Sequence, residues 1–415
     1  MATKAKTDLP HNLIAFVTDP VSEQIIWNVI KEMNMAYAKA RQGEISDIIA
    51  FVKENRSPKV LIVDISNCEL PLGDISKIRE FSPPNMAIIV IGNRNEVGLF
   101  RDLKTMGIVD YIVKPLNNVL LRRAIEVANS GEEMDHVEKT GKLVHIVSTV
   151  GGAGSTTVAA NVGWILANNR FKRTLVMDLD FLYGTANLLL DVKAENAYLD
   201  ILESPDKIDD YFTETITRKV SQRLYYLGGL CDLVRGIQVD EAAFNALVVL
   251  LKKQFNYVLV DAQRNIDVIN KTSMQHADSF ILMVEMSMAS VQNTARMLEY
   301  LSVEHPGKKV LIIANKNGLS SNGAITKEAF ESVIGRKIDY SMLLDETLTL
   351  ASANIGQPVA ASDGPLSQIL DEITDDVLGK NENQEIAKSI AEKEGLNFDR
   401  IKDEVLAFIG KIMKK

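Results

Sequence analysis

The chain has 415 residues, too many for one ordinary hydrophobic core, and that length points to two or three domains. Hydrophobic residues at 46% and charged residues at 24% match a globular chain and exclude general disorder. A net charge of −9 argues against a nucleic-acid partner held on a broad basic face.

Cys68 and Cys231 are too few and too far apart for a disulfide framework, which suits a reducing cytoplasm. No apolar run reaches the ~18 residues of a membrane span. Residues 1–10 are polar, lack the apolar centre of a signal peptide, and read as a tail. From residue 11 short apolar runs alternate with amphipathic stretches. Strands are predicted at Asn12–Val17, Val60–Ile65, Ala87–Ile91 and Asp110–Val113, with helical stretches such as Val21–Asn34 and Leu99–Met106 between them. Alternation of this kind predicts a parallel sheet covered by helices on both faces, here a domain spanning 11–129. Residues 130–142, SGEEMDHVEKTGK, are charged and poor in large apolar side chains, and mark the linker.

A second, larger series spans 143–378. Its strands are predicted at Leu143–Val147, Thr174–Met177, Leu224–Leu227, Tyr257–Val260, Ser279–Val284 and Val310–Ala314. Its helices are predicted at Thr156–Asn168, Val239–Gln254, Ala289–Ser302 and Lys327–Ile334. Residues 379–415 form a helical C-terminal extension. Within it, Asp399–Lys415 sets Ile401, Val405, Phe408, Ile409 and Ile412 on one stripe beside Lys411, Lys414 and Lys415. Such a stripe serves packing on its own domain, partner binding, or attachment to a membrane surface. Asp399, Asp403 and Glu404 weaken its attraction to anionic lipid.

The chemistry concentrates in the second series. Residues 148–157, STVGGAGSTT, follow a buried strand and open a helix. A strand, a glycine loop and a helix N-terminus together aim several backbone N–H groups at an anion, so Gly151, Gly152, Ala153, Gly154, Ser155, Thr156 and Thr157 read as a phosphate cradle. An ordinary loop of this kind carries a lysine that reaches the β/γ-phosphates; Ser155 stands in its place. Thr156 is the natural hydroxyl for Mg²⁺, although both threonines also serve as helix caps. Asp178 and Asp180 follow the strand Thr174–Met177, and Asp261 ends Tyr257–Val260. Carboxylates at such strand ends face the ligand crevice, where they hold Mg²⁺ or orient an attacking water, the role expected of Asp180. Asp is also an everyday turn residue there. Asn315, after Val310–Ala314, offers an amide to a nucleobase edge, with the same turn alternative.

On these motifs the second domain resembles the MinD/ParA family of deviant Walker-A ATPases, and within it the CpaE/TadZ branch that serves type IV (Tad) pilus assembly. The resemblance covers about Lys142–Leu370: VGGAGSTT, DLD, VLVDAQR, ADSFILMVEMSMASVQNTARML, ANK and ASANIGQPV. It implies ATP or ADP with Mg²⁺ as ligands, a homodimer, pilus or secretion proteins as partners, and recruitment from the cytoplasm to the inner membrane face or a cell pole. The family loop reads KGGxGK[ST]; its two lysine positions are Val150 and Ser155 here. Loss of both leaves slow or absent hydrolysis unless Arg264 or another cation substitutes.

The first domain resembles a response-regulator receiver, over about Leu13–Asn129, which implies a flavodoxin-like fold. Asp64, ending Val60–Val63, matches the phosphoacceptor, Lys114-Pro115 matches the lysine signature, and Asp19 is a candidate metal carboxylate. Thr18-Asp19 replaces the usual acidic pair, and Gly92 replaces the switch hydroxyl. Phosphorylation at Asp64 and a degenerate receiver used as a docking or dimerisation surface both fit. The whole reads as α/β, a receiver-like parallel sheet followed by a P-loop MinD/ParA-like parallel sheet, with an active ATPase or a phosphorelay regulator as the alternatives to a scaffold.

Overall fold

The computed structural model describes residues 12–55, 57–130, 140–194, 196, 199–202, 215–231, 239–317, 325–343 and 345–380. The expected stripe at 399–415 lies outside these residues.

The first sheet contains β1 (Leu13–Val17), β2 (Ala38–Gln42), β3 (Val60–Asp64), β4 (Ala87–Gly92) and β5 (Asp110–Val113), in spatial order β2-β1-β3-β4-β5, all parallel. Parallel pairing needs a crossover after each strand, supplied by α1 (Pro20–Glu32), α2 (Ile45–Glu54), α3 (Pro71–Phe81) and α4 (Val97–Thr105), with α5 (Asn118–Ser130) after β5. β1 and β3 are buried along their whole length because both faces are covered. On one face Ile26 and Val29 of α1 join Leu121 and Ile125 of α5. The other face carries Ile48 and Val52 of α2, Ile75 and Ile78 of α3, and Leu103 of α4.

The second sheet is eight-stranded, in the order β13-β12-β11-β6-β10-β7-β9-β8. Its strands are β6 (Lys142–Ser148), β7 (Thr174–Asp178), β8 (Arg218–Lys219), β9 (Leu224–Leu227), β10 (Tyr257–Ala262), β11 (Ser279–Val284), β12 (Lys309–Asn317) and β13 (Tyr340–Leu343). All pair in parallel except β8 with β9. α6 (Ser155–Asn168) lies on one face with Leu370 and Ile373 of the helix Pro365–Val377. The helix Glu241–Gln254 covers the other face through Phe244, Leu247 and Leu251. β6 sits between β10 and β11, so the loop after it opens at the centre of the sheet's C-terminal edge, where ligands of such sheets bind.

The three strands that the sequence pattern does not predict, β2, β8 and β13, all lie at sheet edges. β2 reads AKARQ and buries only Ala40, so it carries no apolar signature.

The two sheets meet at the end of α3. A helix C-terminus leaves its last carbonyls without intrahelical partners. Here Lys172 Nζ donates to Glu80 O (2.7 Å), Arg223 Nη1 to Phe81 O (3.2 Å) and Asn256 Nδ2 to Ser82 O (2.8 Å), all from the second domain. Phe81 also packs edge-on against Phe171. Cations at the negative end of the helix dipole reinforce the joint.

Candidate functional site

The loop between β6 and α6 has the backbone of an anion cradle. Gly152 (φ 74°) and Gly154 (φ 100°) lie in the left-handed region, which turns the chain sharply into α6. A Cβ on Gly154 would stand 2.5 Å from Asn315 Nδ2, so only glycine fits. That amide donates to Ala153 O (2.9 Å), while Asn315 Oδ1 accepts from Lys316 N (2.8 Å). Each end of the Asn315 side chain thus makes a bond inside the protein, so the residue expected at a nucleobase edge also braces the loop. On the other side, Asn293 Nδ2 donates to Thr149 O (2.9 Å), and the Thr149 and Ser290 hydroxyls are 2.8 Å apart. Ser155 N donates to Ser148 Oγ (3.3 Å). The loop is therefore held from both flanks before any ligand arrives.

A cavity of about 610 Å³ opens over it, lined among others by Gly151, Gly152, Ser155, Thr156, Asp180 and Arg264. Asp180 thus faces the cavity that the loop also lines. Its Oδ1 accepts from Gln263 Nε2 (2.6 Å) and from the backbone N–H groups of Leu182 (3.2 Å) and Tyr183 (2.9 Å). Gln263 carries no motif signal beyond its place two residues after a strand-end Asp. Asp178 and Asp261 lie deeper, paired in register on neighbouring strands and nearly inaccessible. Thr157 sits on the first turn of α6, and Asn161 below it accepts from Ala360 N (2.7 Å).

Two buried carboxylates side by side are costly when both are charged. Burial, then the charge of Asp261, raises the Asp178 pKa. Burial raises Asp261 as well, against hydrogen bonds from the Thr156 and Ser155 side chains. Among the described residues no group of three or more His, Cys, Asp or Glu forms a self-sufficient metal site. The set fits Mg²⁺ of the kind that takes one or two carboxylates and a hydroxyl and completes its shell with phosphate oxygens and water. Thr156 and Asp261, joined by a side-chain hydrogen bond, would hold it.

The site around Asp64 in the first domain is built differently. Asp64 is buried, and its Oδ2 accepts from Thr18 N (3.0 Å), Thr18 Oγ1 (2.8 Å) and Lys114 Nζ. Its Oδ1 accepts from Ser66 N (3.0 Å) and Ser66 Oγ. Lys114 Nζ also donates to Asp19 Oδ2 (2.6 Å). Burial pushes both carboxyls up, but Lys114 and the neighbouring hydroxyl and N–H donors outweigh it. Asp64 is held below its ordinary value and Asp19 at about 2. At Gly92 the space of a switch side chain is taken by Tyr111, whose hydroxyl would lie 2.6 Å from an added Cβ and donates to Arg94 O.

Residues 141–313 match the AAA domain family. The septum site-determining protein MinD of Bacillus subtilis (strain 168) is 27% identical over 227 residues, which cover 53% of this chain and 82% of that protein. MinD of Helicobacter pylori is 24% identical over 248 residues, covering 57% and 91%. In fold, the chain is similar to a ParA family ATPase from Chlorobium tepidum TLS (TM-score 0.52, 22% identity, 57% of this chain and 98% of that one). It is also similar to a MinD from Pyrococcus horikoshii OT3 solved with Mg-ADP (TM-score 0.50, 21% identity, 57% and 96%). The second domain is thus similar in sequence to MinD proteins and in fold to a ParA family ATPase and a MinD. The fold is α/β, a flavodoxin-like parallel sheet followed by a MinD/ParA-like one. No helix among the described residues is long and apolar enough to cross a membrane.

Proposed function

We propose that this chain is a nucleotide-binding, dimerising scaffold of type IV (Tad-like) pilus or secretion assembly, with weak or no ATP hydrolysis. One observation carries the binding half: a loop with glycines in the left-handed region, pinned on both flanks, stands over Thr156 and the buried Asp178–Asp261 pair. Backbone N–H groups and the helix N-terminus bind phosphate without a side-chain cation. When bound, Mg²⁺ neutralises charge on the β- and γ-phosphate oxygens.

The weak-hydrolysis half follows from Val150 and Ser155. Losing one preorganised charge contact to the transition state costs ~10²-fold or more in rate, and this loop lacks two. Asp180, open to the cavity, is the group placed to orient water, but orientation alone leaves developing phosphate charge unanswered. The pilus or secretion role rests on the CpaE/TadZ resemblance of the motifs. So do the homodimer and recruitment to the inner membrane face or pole, the latter with the C-terminal stripe as a candidate contact.

The first domain serves this scaffold as a docking module. Asp64 is enclosed by Thr18, Ser66 and Lys114, which leaves its oxygens already engaged. Incubation with acetyl phosphate is expected to leave Asp64 unmodified by mass spectrometry; an Asp64 adduct would favour the phosphorelay reading. For the second domain, Mg-dependent turnover is expected far below that of active MinD proteins. Turnover at their level, abolished by Asp180→Ala, would replace the scaffold with a cycling ATPase.

A further inference from the structure

The loop lacks lysines, yet cations approach it from elsewhere. Two strand ends supply them. A Cβ built on Gly151 would lie 3.6 Å from Arg264 Nη2, and one on Gly152 would lie 3.6 Å from Lys316 Nζ. Arg264 follows β10, the neighbour of β6, and Lys316 lies in β12, two strands from β6 on the other side, so both arrive from other strands rather than from the loop itself.

Their charges are not equally available. Lys316 Nζ is paired with Glu285 Oε1 at 2.7 Å, and Lys316 is fixed at φ 57° beside the Asn315 brace. Its charge is already balanced. Arg264 is exposed, and no carboxylate pairs with it among the described residues. It lines the loop cavity and also a neighbouring one of about 300 Å³, whose walls include Arg296 and no acidic residue. On neither side does its position provide a counter-charge except Asp180 across the loop cavity. An uncommitted guanidinium beside backbone N–H groups is suited to phosphate, which it meets with two parallel N–H bonds.

We propose that Arg264 supplies the phosphate-facing cation that the loop has lost, contacting the terminal phosphates of a bound nucleoside triphosphate. The proposal rests on the nucleotide-binding reading and assigns this site its triphosphate preference. A guanidinium delivered in cis answers the charge on the outer phosphates, while the backbone cradle holds the inner ones. Lys316 shapes the opposite side of the loop through its pair with Glu285.

Calorimetric titration of the full chain with Mg-ATP, Mg-ADP and AMP tests this, using wild type, Arg264→Ala, Arg264→Lys and Lys316→Ala, each checked by circular dichroism for an unchanged fold. Arg264→Ala is expected to weaken ATP binding by ~10-fold or more, ADP less and AMP not at all, since a hydrogen bond to a charged group has that worth. Arg264→Lys is expected to retain part of the ATP affinity. Equal ATP affinity in wild type and Arg264→Ala overturns the proposal and leaves nucleotide binding intact. An equal loss for all three ligands, or a loss confined to Lys316→Ala, also overturns it. Absence of any nucleotide binding in wild type overturns this proposal together with the reading beneath it.

Discussion

Asp261 shows how one residue joins stability to ligand binding. Its carboxyl lies beside Asp178 in register, and both are pushed upward in pKa by burial and by neighbouring negative charge. A carboxyl whose pKa is raised on folding favours the folded state below its unfolded value, about 4, and loses that contribution as pH climbs through the raised folded value. The ligand-free chain should therefore lose stability between about pH 4 and neutrality at this pair. Asp261→Asn removes one charge while its neighbours, the Ser155 and Thr156 hydroxyls, can reorient. Without ligand at pH 8 the variant is expected to be more stable than wild type by ~1 kcal/mol or more, the worth of about one pKa unit, with the gap closing at pH 4. Thermal melts across that range check it; parallel pH profiles would show that the pair carries no such strain. The same variant should lose Mg-dependent nucleotide binding, so the residue that costs stability is the one the ligand needs.

At the scale of elements, the end of α3 ties the two sheets together. Arg223 is buried and donates to Phe81 O and, at 3.0 Å, to Phe171 O, bridging a helix of one domain and a loop of the other. Arg223→Ala leaves those carbonyls buried without their donor, at a cost of ~1–3 kcal/mol. Scanning calorimetry is expected to give one transition for wild type and two separated ones for the variant. One unchanged transition would mean that the joint does not couple the sheets. None of this was legible in the sequence, because Lys172, Arg223 and Asn256 belong to no motif and meet α3 only through the fold. The buried strands were legible for the opposite reason. β1, β3, β6, β10 and β11 are near-continuous apolar runs, as parallel strands covered on both faces must be. Edge strands escape that rule. β2 exposes most of its side chains, β8 has two residues, and β13 buries only Met342, so none leaves a hydrophobic trace.

For the molecule as a whole, the site was partly readable and its departures were more informative than its matches. Glycines at 151, 152 and 154 announced the loop, and of the strand-end carboxylates Asp180 lines the cavity over it. The bracing role of Asn315 and the position of Arg264 over Gly151 needed three dimensions, since each depends on strands far apart in sequence ending at one edge of the sheet. The second domain has a glycine loop and strand-end carboxylates, carries no lysine in the loop itself, and is joined through the end of α3 to a flavodoxin-like sheet with an enclosed aspartate. Such a loop is expected still to bind a Mg-nucleotide through its backbone N–H groups. The most direct test is calorimetric titration of the full chain with Mg-ATP, with sedimentation of the same samples. Saturable binding below millimolar concentration, accompanied by self-association, is the expected result; no heat of binding and no change in mass at millimolar Mg-ATP would contradict it.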